Sequence, residues 1–394
     1  MHIAINGSGV ALGGGITVLR HLLTSFVEVD EGRHSYSVVC SKNAREKLGE
    51  TDTRVSFIPS DRHGRSLPAR LLAEQVVLPL ETLARRVDVV LSPFNIGVLA
   101  SPVPQLLMFQ NVAPFTPRVV QGYGAAKRRR LRLLRIVGEL SARRASTVVF
   151  VSEDQRRTIL PWLSIPEART SVVYTGWDRS FSPRAGLEAG PVLQRHGIQA
   201  PYLLSVSQFY RYKNLVELVQ GFARALPGLP PTMSLVLVGS EPEPDYSAEV
   251  RREIHKTGVG DRVRVLGHVP DADLPPLYAA AAMFLFSSTC ESFPNILLEA
   301  MGSGAPVLSS DRCSMPEIAG NGALYFDPFQ PQQIADLVTA LWANQDRLRA
   351  LSERGTARAT GFSWNRTAEQ LLEGLEKLGA RSRARRSSER TTTR

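Results

Sequence analysis

Two glutamates, Glu291 and Glu299, lie eight residues apart around the start of a predicted helix. The apolar run 282–287 predicts a buried strand, Pro294 suits the first position of a helix, and Gly302 marks the end of that helix. Glu291 should therefore lie in a loop after a strand, and Glu299 on the second turn of the following helix. In open parallel sheets that crevice binds ligands. The helix N-terminus suits a phosphate, and a carboxylate there can accept hydrogen bonds from paired hydroxyls such as those of a ribose.

A lysine, Lys213, follows a second strand-like segment, 202–207, and precedes a helical pattern that begins at Leu215. A cation fixed at the end of a strand would stabilise negative charge that develops on a bound group, and it would do so without a metal ion. Arg211, two residues earlier, could supply a second positive charge.

The N-terminal segment predicts a strand over residues 2–6, a glycine-rich loop that reaches Gly14 and Gly15, and a helix with apolar residues at helical spacing over residues 16–26. This order is typical of a phosphate-binding loop, although a plain tight turn would explain the glycines as well. The spacing is not that of a dinucleotide fingerprint, and the next strand, 36–40, ends without an acidic residue. The pattern therefore disfavours an NAD site.

Asp271 and Asp273 have the spacing of an acidic pair that binds metal. They precede a predicted helix start at Leu274, however, where aspartate is a common N-cap. We therefore predict a structural role for the pair and no metal site. The three cysteines of the chain have unrelated spacings, which indicates a reducing compartment without disulfide bonds.

The chain has 394 residues, of which 43% are hydrophobic and 21% charged, as in a globular protein of two or three domains. Part of the net charge of +10 comes from residues 381–394, with six arginines and one glutamate. This tail has little apolar content, which predicts disorder. Neither a signal peptide nor an apolar run of membrane-spanning length is apparent, so we expect a cytoplasmic protein.

The segment 125–144 predicts a helix with a broad buried apolar face and a cationic outer face. Its basic residues begin at Lys127. One hypothesis is that residues 127–144 contact anionic lipid on the inner face of the membrane. A solvated helix packed on its own domain explains the pattern equally well. Because no nucleic-acid-binding module is recognisable, we expect no nucleic-acid partner.

The stretch 288–311, S-T-C-E-S-F-P-N-I-L-L-E-A-M-G-S-G-A-P-V-L-S-S-D, resembles the Glu-x7-Glu signature of the retaining family 4 glycosyltransferases, also called group 1. Three further motifs follow in the family's order, Ser310-Asp311, Pro316-Glu317 and Phe326-Asp327-Pro328. The resemblance covers roughly residues 1–380 and is denser in the second half of the chain.

The resemblance implies the GT-B fold, an α/β architecture of two Rossmann-like domains whose parallel sheets face a cleft. Residues 1–185 would form the acceptor-side domain and residues 186–360 the nucleotide-sugar domain, since the proline, glycine and alanine content of residues 182–191 predicts a linker between them. Residues 361–380 would form a helix that crosses back to the first domain, followed by the basic tail 381–394.

The resemblance also implies roles for individual residues. Glu291 would face the transferred sugar, Glu299 would bind the donor ribose, and Lys213 with Arg211 would assist the leaving group. The other positions implied on the donor side lie in the glycine loop, at strand ends and before Glu299: Gly14, Gly15, Ser207, Gln208, Gly239, Leu266, Phe293, Pro294, Asn295 and Ile296.

Three positions depart from the family's pattern. Gln110 and Asn111 stand where many members carry a His-Asp pair that faces the reacting sugar. Amides can bond sugar hydroxyls but cannot act as a base, and both could equally be ordinary loop caps. Ser207-Gln208 stands in place of a Gly-Arg pair, and Pro294 removes one backbone N–H from the phosphate loop.

We therefore expect a glycosyltransferase that moves a sugar from a UDP- or GDP-linked donor to a saccharide or lipid-linked acceptor. The resemblance implies retention of configuration, no metal or cofactor, and a place in cell-surface polysaccharide or glycolipid synthesis. The alternative is a binding or scaffold protein that keeps the GT-B fold with little turnover, which the three departures would explain.

Overall fold

The computed structural model describes residues 1–9, 14–49, 51–60 and 72–392. These residues form two compact units. The first combines Met1–Gly176 with the C-terminal segment from Ser363, and the second is Trp177–Phe362. Each unit has one parallel sheet with helices, as the α/β prediction requires.

The described part of the first unit has a seven-stranded parallel sheet with the order β3-β2-β1-β4-β5-β6-β7. Its strands are β1 (His2–Asn6), β2 (Ser35–Cys40), β3 (Val55–Pro59), β4 (Val89–Ser92), β5 (Gln105–Phe109), β6 (Thr147–Phe150) and β7 (Thr170–Val172). Most strand residues are buried, because helices cover both faces of the sheet. The direction of winding reverses between β1 and β4, and ligands of open α/β sheets bind at such a switch point.

The first helix of the first unit follows β1, and the others follow in chain order. They are α1 (Gly14–Val29), α2 (Lys42–Leu48), a π-helical turn (Ala73–Val77) that continues as α3 (Leu78–Ala84), α4 (Pro117–Gln121), α5 (Ala125–Arg144) and α6 (Glu153–Leu163). The predicted glycine loop includes residues 10–13, which lie outside the described residues.

The described part of the second unit has a six-stranded parallel sheet with the order β10-β9-β8-β11-β12-β13. Its strands are β8 (Tyr202–Val206), β9 (Ser234–Val238), β10 (Val263–Gly267), β11 (Met283–Phe286), β12 (Val307–Ser310) and β13 (Ala323–Phe326). Its helices are α7 (Ala189–Arg195), α8 (Leu215–Ala225), α9 (Pro244–Lys256), α10 (Leu274–Ala279), α11 (Asn295–Gly302), α12 (Met315–Ala319), α13 (Pro331–Trp342) and α14 (Gln345–Ala359). Here the winding reverses between β8 and β11.

The last helix, α15 (Trp364–Thr392), packs on the first unit against α1, β4 and β5. Its side chains Ala368, Leu371 and Leu375 are fully buried. The ring of Trp364 stacks on His21 of α1, with 5.3 Å between the ring centroids. The end of the chain therefore completes the core of the unit that the start of the chain builds.

The boundary between the units lies after Gly176, whereas the sequence predicted it after residue 185. Trp177 explains the difference. Its indole N–H donates to the carbonyl of Ala359 at 2.9 Å. Its ring fills the space beside Gly302, where a β-carbon would lie only 2.0 Å from it. The chain thus joins the second core before the proline- and glycine-rich segment that suggested the linker.

Two helix predictions were wrong in their bounds. The sequence pattern over residues 331–351 predicts one helix, but α13 ends at Trp342 and α14 begins at Gln345. The side chain of Asn344 caps the new helix by accepting from the N–H of Arg347 at 2.9 Å. We also predicted disorder from residue 381, but α15 continues to Thr392. Arginine and alanine favour helix even where nothing apolar is left to pack.

Helix α5 has the predicted bounds, but its apolar residues are not all buried. Leu131 is buried, whereas Leu133, Ile136 and Leu140 are each more than 40% exposed. The periodicity predicted the helix correctly, but the prediction that its apolar face is buried was wrong. The buried face consists largely of the small residues Gly138, Ser141 and Ala142. Among the described residues, no helix combines the length and hydropathy needed to cross a membrane.

Candidate active site

Lys213 and Glu291 meet at the switch point of the second sheet. Lys213 ends a 3₁₀ turn after β8, and Glu291 lies in the loop after β11. The Nζ atom of Lys213 lies 2.5 Å from Oε1 of Glu291, although the two residues are 78 positions apart in sequence. The side chains are only 11% and 16% exposed. The structure thus brings together two of the three residues to which the sequence analysis assigned catalytic roles, the third being Arg211.

Two aromatic rings lie around the ammonium group of Lys213. Its Nζ is 5.2 Å from the ring centre of Tyr212 and 5.1 Å from that of Phe286. Aromatic faces attract cations, so the rings and Glu291 together hold the ammonium in one place. In this largely buried position a positive charge acts on a neighbouring anion more strongly than it would in water.

Three consecutive hydroxyl residues join the loops that carry Lys213 and Glu291, and the sequence analysis missed them. The hydroxyl of Ser287 donates to the carbonyl of Lys213 at 2.7 Å. The backbone N–H and the hydroxyl of Thr289 both donate to the carbonyl of Tyr212, at 2.8 and 3.1 Å. The run Ser-Ser-Thr immediately after an apolar strand was the available signal, because such residues often bond nearby backbone groups.

Ser288 acts on the carboxylate itself. Its hydroxyl donates to Oε1 of Glu291 at 2.6 Å, and its side chain is fully buried. Oε1 of Glu291 therefore accepts from both Ser288 and Lys213, which fixes the orientation of the carboxylate plane. The spacing of three residues between a loop serine and an acid is compatible with such a local bond.

Glu299 lies on α11, and its carboxyl accepts a hydrogen bond from the hydroxyl of Tyr278, a fully buried residue of α10, at 3.3 Å. Burial raises the pKa of Glu299 to about 7. The bond from Tyr278 opposes that rise, and the charges of Asp178 and Asp271 add to it. Near neutral pH this carboxyl can therefore be either protonated or ionised. Tyr278 had no recognisable signal in the sequence.

The loop before Glu299 differs from the prediction at Pro294. Pro294 occupies the N-cap position of α11 rather than the first helical position. Its carbonyl accepts from the N–H of Leu297 at 2.9 Å. The N–H of Asn295 donates to the carbonyl of Phe293 at 3.0 Å. Thus the N–H of Asn295, which we expected to face a phosphate, is bonded within the loop, while Ile296 lies half-buried on the first turn.

Gly239 brings the end of β9 close to the loop after β8. Its φ is +148°, and a β-carbon there would lie 1.9 Å from the carbonyl oxygen of Ser207. Only glycine permits this approach. Gln208, beside Ser207, is exposed. Leu266 lies at an irregularity in the pairing of β10 with β9. A bulged residue is left out of the ladder, as a backbone contact to a nucleotide base would require.

Arg211 does not join Lys213. Its guanidinium donates to the carboxylate of Glu249 on α9 at 2.7 Å and lies 5.0 Å from the ring centre of Tyr246. Its backbone N–H donates to Glu243 at 3.0 Å. The prediction that Arg211 shares the role of Lys213 is therefore not supported, because Glu249 binds its guanidinium.

In the first unit, one side chain holds the loop that contains Gln110 and Asn111. Oδ1 of Asn95 accepts from the N–H groups of Gln110 and Asn111 at 2.8 and 2.9 Å. Oδ1 of Asn111 accepts from the N–H of Ala113 at 2.9 Å, which is the loop-cap role left open above. The amide of Gln110 contacts the sulfur of Met108 at 3.4 Å. Sequence reasoning missed Asn95, which precedes this loop by fifteen residues.

Gly14 and Gly15 are the first two residues of α1, after the carboxyl end of β1. A β-carbon at Gly14 would meet no atom within 4 Å. The structure therefore places the pair at the switch point of the first sheet, where packing does not require glycine at position 14.

Asp273 has the predicted structural role, but through ion pairs rather than as an N-cap. Its carboxylate accepts from Arg195 at 2.6 and 2.8 Å and from His196 at 2.9 Å, and it makes no side-chain cap. The bonds from His196 and Arg195 lower the pKa of Asp273. Asp273 thus ties α7 to the start of α10.

Two family models match the chain. The model described as Glycosyltransferase Family 4 matches residues 12–181, and that described as Glycosyl transferases group 1 matches residues 194–358. The two spans cover most of both units. The chain therefore belongs to the family 4, or group 1, glycosyltransferases.

Curated relatives match part of the chain. O-antigen chain mannosyltransferase B of Escherichia coli is 29% identical over 236 residues, which are 59% of this chain and 61% of that protein. Mannosylfructose-phosphate synthase of Agrobacterium fabrum is 27% identical over 206 residues, 50% of this chain and 45% of that protein. The chain thus spans less than two thirds of the length of either relative.

Solved structures match over nearly the whole chain. The crystal structure of Anabaena HepE in complex with UDP and glucose has a TM-score of 0.73 and 20% identity, and the match covers 95% of this chain and 99% of that one. Sucrose-phosphate synthase from Thermosynechococcus elongatus has a TM-score of 0.75 and 20% identity, with 96% and 99% covered. The predicted GT-B fold is confirmed.

Proposed function

We propose that this glycosyltransferase moves a sugar from a UDP- or GDP-linked donor to a saccharide or lipid-linked acceptor with retention of configuration. The observation that carries the proposal is the Lys213–Glu291 pair at the switch point of the second sheet. Glu299 adds a half-buried carboxyl on the helix that follows the Glu291 loop. A cation for a diphosphate and two carboxyl groups for hydroxyls are the set of groups that a nucleotide sugar requires.

Lys213 would act on the leaving group. In the reaction the bond between the sugar C1 and the diphosphate oxygen breaks, and its electron pair leaves with the diphosphate. The ammonium of Lys213, held in a largely buried position, stabilises this developing charge. The acceptor oxygen bonds to C1 on the face from which the diphosphate departs, and its proton passes to the departing phosphate oxygen.

Glu291 would orient the transferred sugar. Its Oε1 already accepts from Lys213 and Ser288. Within the part of the chain that the structure describes, Oε2 accepts no hydrogen bond, so it can accept one from a sugar hydroxyl. Glu299 would accept from the two hydroxyls of the donor ribose, which requires the ionised form of its carboxyl.

The named relatives support the class of substrate. The structure of Anabaena HepE contains UDP and glucose, which favours a uridine nucleotide among the donors to be tested. The Escherichia coli relative is named for mannose transfer to an O-antigen chain, which favours a saccharide acceptor and a role in surface polysaccharide synthesis. We expect no metal requirement, because Lys213 supplies positive charge at the site.

We also propose that the basic surface of α5 brings the enzyme to anionic lipid, where a lipid-linked acceptor would lie. Its residues 125–144 contain eight basic side chains and one acidic one. Each basic residue near such a surface contributes about 1 kcal/mol of attraction, and salt screens it. Binding to phosphatidylglycerol vesicles should therefore weaken as the salt concentration rises, and salt-independent binding would contradict this electrostatic role.

Thermal stabilisation by nucleotides tests the donor site. The protein would be melted with UDP, GDP, ADP or CMP, each in the presence of EDTA. A nucleotide at a hundredfold its dissociation constant should add about 2.7 kcal/mol of stability. One nucleotide should stabilise the wild type and the control Glu188→Gln, an exposed position, and stabilise Glu299→Gln less. No stabilisation by any nucleotide would favour the scaffold alternative.

A further inference from the structure

Two helices of the first unit carry stripes of exposed aliphatic side chains. The first stripe runs along the helical segment that ends with α3, and we call it the α3 ridge: Leu72, Val76, Leu80 and Leu83, which are 42%, 46%, 61% and 60% exposed. The second, the α5 ridge, consists of Leu133, Ile136 and Leu140, which are 46%, 47% and 44% exposed. Spacings of three and four residues place each set on one side of its helix.

Both helices cover the same face of the seven-stranded sheet. The buried Leu78 of α3 belongs to one core cluster with Val90 of β4. Val90 is paired with Gln105 of β5, so Phe109, four residues further along that strand, points to the same face. Gly138 of α5 lies against the ring of Phe109. The two ridges therefore point outward from one layer of the unit.

The surroundings of the ridges are strongly basic. The exposed side chains around them are Arg85 and Arg86 at the end of α3 and Arg129, Arg130, Arg132, Arg143 and Arg144 on α5. The carboxylates of the two helices are engaged, since Glu81 pairs with Arg85 at 2.7 Å and Glu139 with Arg135 at 3.2 Å. Because both helices return antiparallel to the strands, their C-terminal arginines lie on the side of the sheet where the strands begin.

We propose that this face of the first unit docks on an anionic lipid surface, with both aliphatic ridges inserted at the headgroup boundary and the arginines on lipid phosphates. Aliphatic side chains flanked by basic ones are the composition that such an interface needs. The inference rests on the proposed function only for the reason to be at a lipid surface. It adds α3 to a contact that charge alone assigned to α5.

A second copy of the chain is the rival occupant, and the charges disfavour it. A two-fold dimer brings the same patch of both copies together, so it would oppose one set of arginines with another. Like charges at such a contact repel each other. An anionic surface satisfies both the aliphatic and the cationic parts of the patch.

Each ridge should contribute to binding, because the membrane affinity of interfacial helices rises with the apolar area that they bury. The experiment is cosedimentation of the full chain with vesicles of phosphatidylcholine containing phosphatidylglycerol, and with vesicles of phosphatidylcholine alone. The variants are Leu80→Ser/Leu83→Ser for the α3 ridge and Leu133→Ser/Ile136→Ser for the α5 ridge. The matched control is Leu187→Ser, at a leucine of the second unit that is 88% exposed.

The wild type and Leu187→Ser should bind the anionic vesicles at least about tenfold more tightly than the neutral ones, and each ridge variant should lose about tenfold or more of that binding. Equal binding by wild type and ridge variants would overturn the inference, as would equal binding to both kinds of vesicle. Self-association of the wild type that the ridge variants abolish, without vesicle binding, would assign the face to a second copy and also overturn it.

Nucleotide-induced stabilisation, measured without vesicles, separates this inference from the proposed function. Ridge variants that melt like the wild type and keep the nucleotide response have intact units, so their loss of vesicle binding is a property of the surface. If no nucleotide binds while the vesicle results hold, the proposed donor site fails and the lipid-binding face stands.

Discussion

Glu299 combines two requirements that change with pH in opposite directions. Its pKa in the folded protein is raised to about 7 from an ordinary value of 4.5. The folded state thus holds this proton more tightly than the unfolded state. Its contribution to stability is fully present below pH 4.5 and is lost as the pH rises through 7. Hydrogen bonds from a ribose diol, in contrast, need the ionised carboxylate.

The substitution Glu299→Gln should therefore stabilise the protein at pH 8 and weaken nucleotide binding there. Glutamine resembles the protonated acid, so the free energy of unfolding should rise by on the order of 2 kcal/mol at pH 8, with the gain vanishing toward pH 4.5. Loss of a charge-assisted acceptor should lower nucleotide affinity by about tenfold or more. Urea denaturation between pH 4.5 and 8, with nucleotide titration at pH 8, measures both effects.

The control Glu188→Gln changes an exposed glutamate and should leave both quantities unchanged. A stability gain in Glu299→Gln that is the same at every pH would show that ionisation of this carboxyl is not its cause.

Ser288 positions the carboxylate of Glu291, so Ser288→Ala should impair turnover more than binding. The lost bond, 2.6 Å long, is one of two that hold Oε1. We expect kcat to fall by about tenfold, corresponding to about 1.4 kcal/mol, with the donor KM changed less than twofold. Steady-state kinetics measures the two constants. The control is Ser309→Ala, at another fully buried hydroxyl that bonds only a neighbouring carbonyl. An unchanged kcat in Ser288→Ala would contradict the positioning role.

At the scale of single residues, the sequence indicated the charged candidates for the site but not the side chains that form hydrogen bonds with them. Lys213, Glu291 and Glu299 could be selected because a motif and the ends of strands placed them. Tyr278 and Ser288 could not, since tertiary packing chose them and many hydroxyl residues were equally eligible. The ion pair of Arg211 with Glu249 was missed for the same kind of reason, because α9 reaches the Arg211 loop only in the folded structure.

The ends of β8 and β9 form part of the proposed donor side of the second unit, and Gly239 permits their close approach. Gly239→Ala would place a β-carbon 1.9 Å from the oxygen of Ser207 at a φ of +148°. We expect a loss of about 2 kcal/mol or more in the free energy of unfolding, together with weaker nucleotide binding, because the two loops must separate.

Chemical denaturation and nucleotide titration of Gly239→Ala test this expectation. Gly260→Ala is the matched control, since a β-carbon there would meet no atom within 4 Å. If Gly239→Ala were as stable as Gly260→Ala, the close approach of the two loops would not be a requirement of the fold.

Helix α15 is the element that ties the end of the chain into the first unit. Leu375 is fully buried there, so Leu375→Ala should cost about 2–5 kcal/mol of stability. The neighbouring Lys377, whose side chain is 69% exposed, is the control, and Lys377→Ala should change stability by less than about 0.5 kcal/mol. Equal denaturation midpoints for the two variants would mean that α15 does not contribute to the core.

The bounds of a buried strand could be predicted to the residue. β1 has the bounds predicted for it, because four of its five residues are buried and a buried strand forms a compact apolar run. The break at Asn344 was missed because the apolar spacing continues across it. The exposed residues of α5 were missed because periodicity defines a face but does not show what covers it.

Across the whole molecule, the two units have the same kind of sheet and the same kind of switch point, and their chemistry differs. The second unit contains the charged set, Lys213, Glu291 and Glu299. The first contains the amide pair Gln110 and Asn111 and, on one face of its sheet, the two aliphatic ridges. The proposals accordingly assign the donor to the second unit and the lipid surface to the first.

The order of the domains followed from the motifs, but the boundary did not. The composition around residues 182–191 suggested a linker, whereas the core of the second unit already includes Trp177 and Phe181. Likewise, net charge drew attention to α5, but only the folded structure places the α3 ridge on the same face of the sheet. Neither feature has a local sequence signal.

The most direct test of the central claim is release of nucleoside diphosphate from UDP-, GDP- and ADP-sugars in the presence of EDTA, with wild type, Lys213→Ala and Lys256→Ala compared. Lys256 is a lysine whose side chain is 74% exposed, so its removal is the control. The wild type and the control should release nucleotide from at least one donor, and Lys213→Ala should be slower by about 10²–10³, with folding verified by its melting curve. No release from any donor by the wild type, or equal rates for folded Lys213→Ala and wild type, would contradict the account.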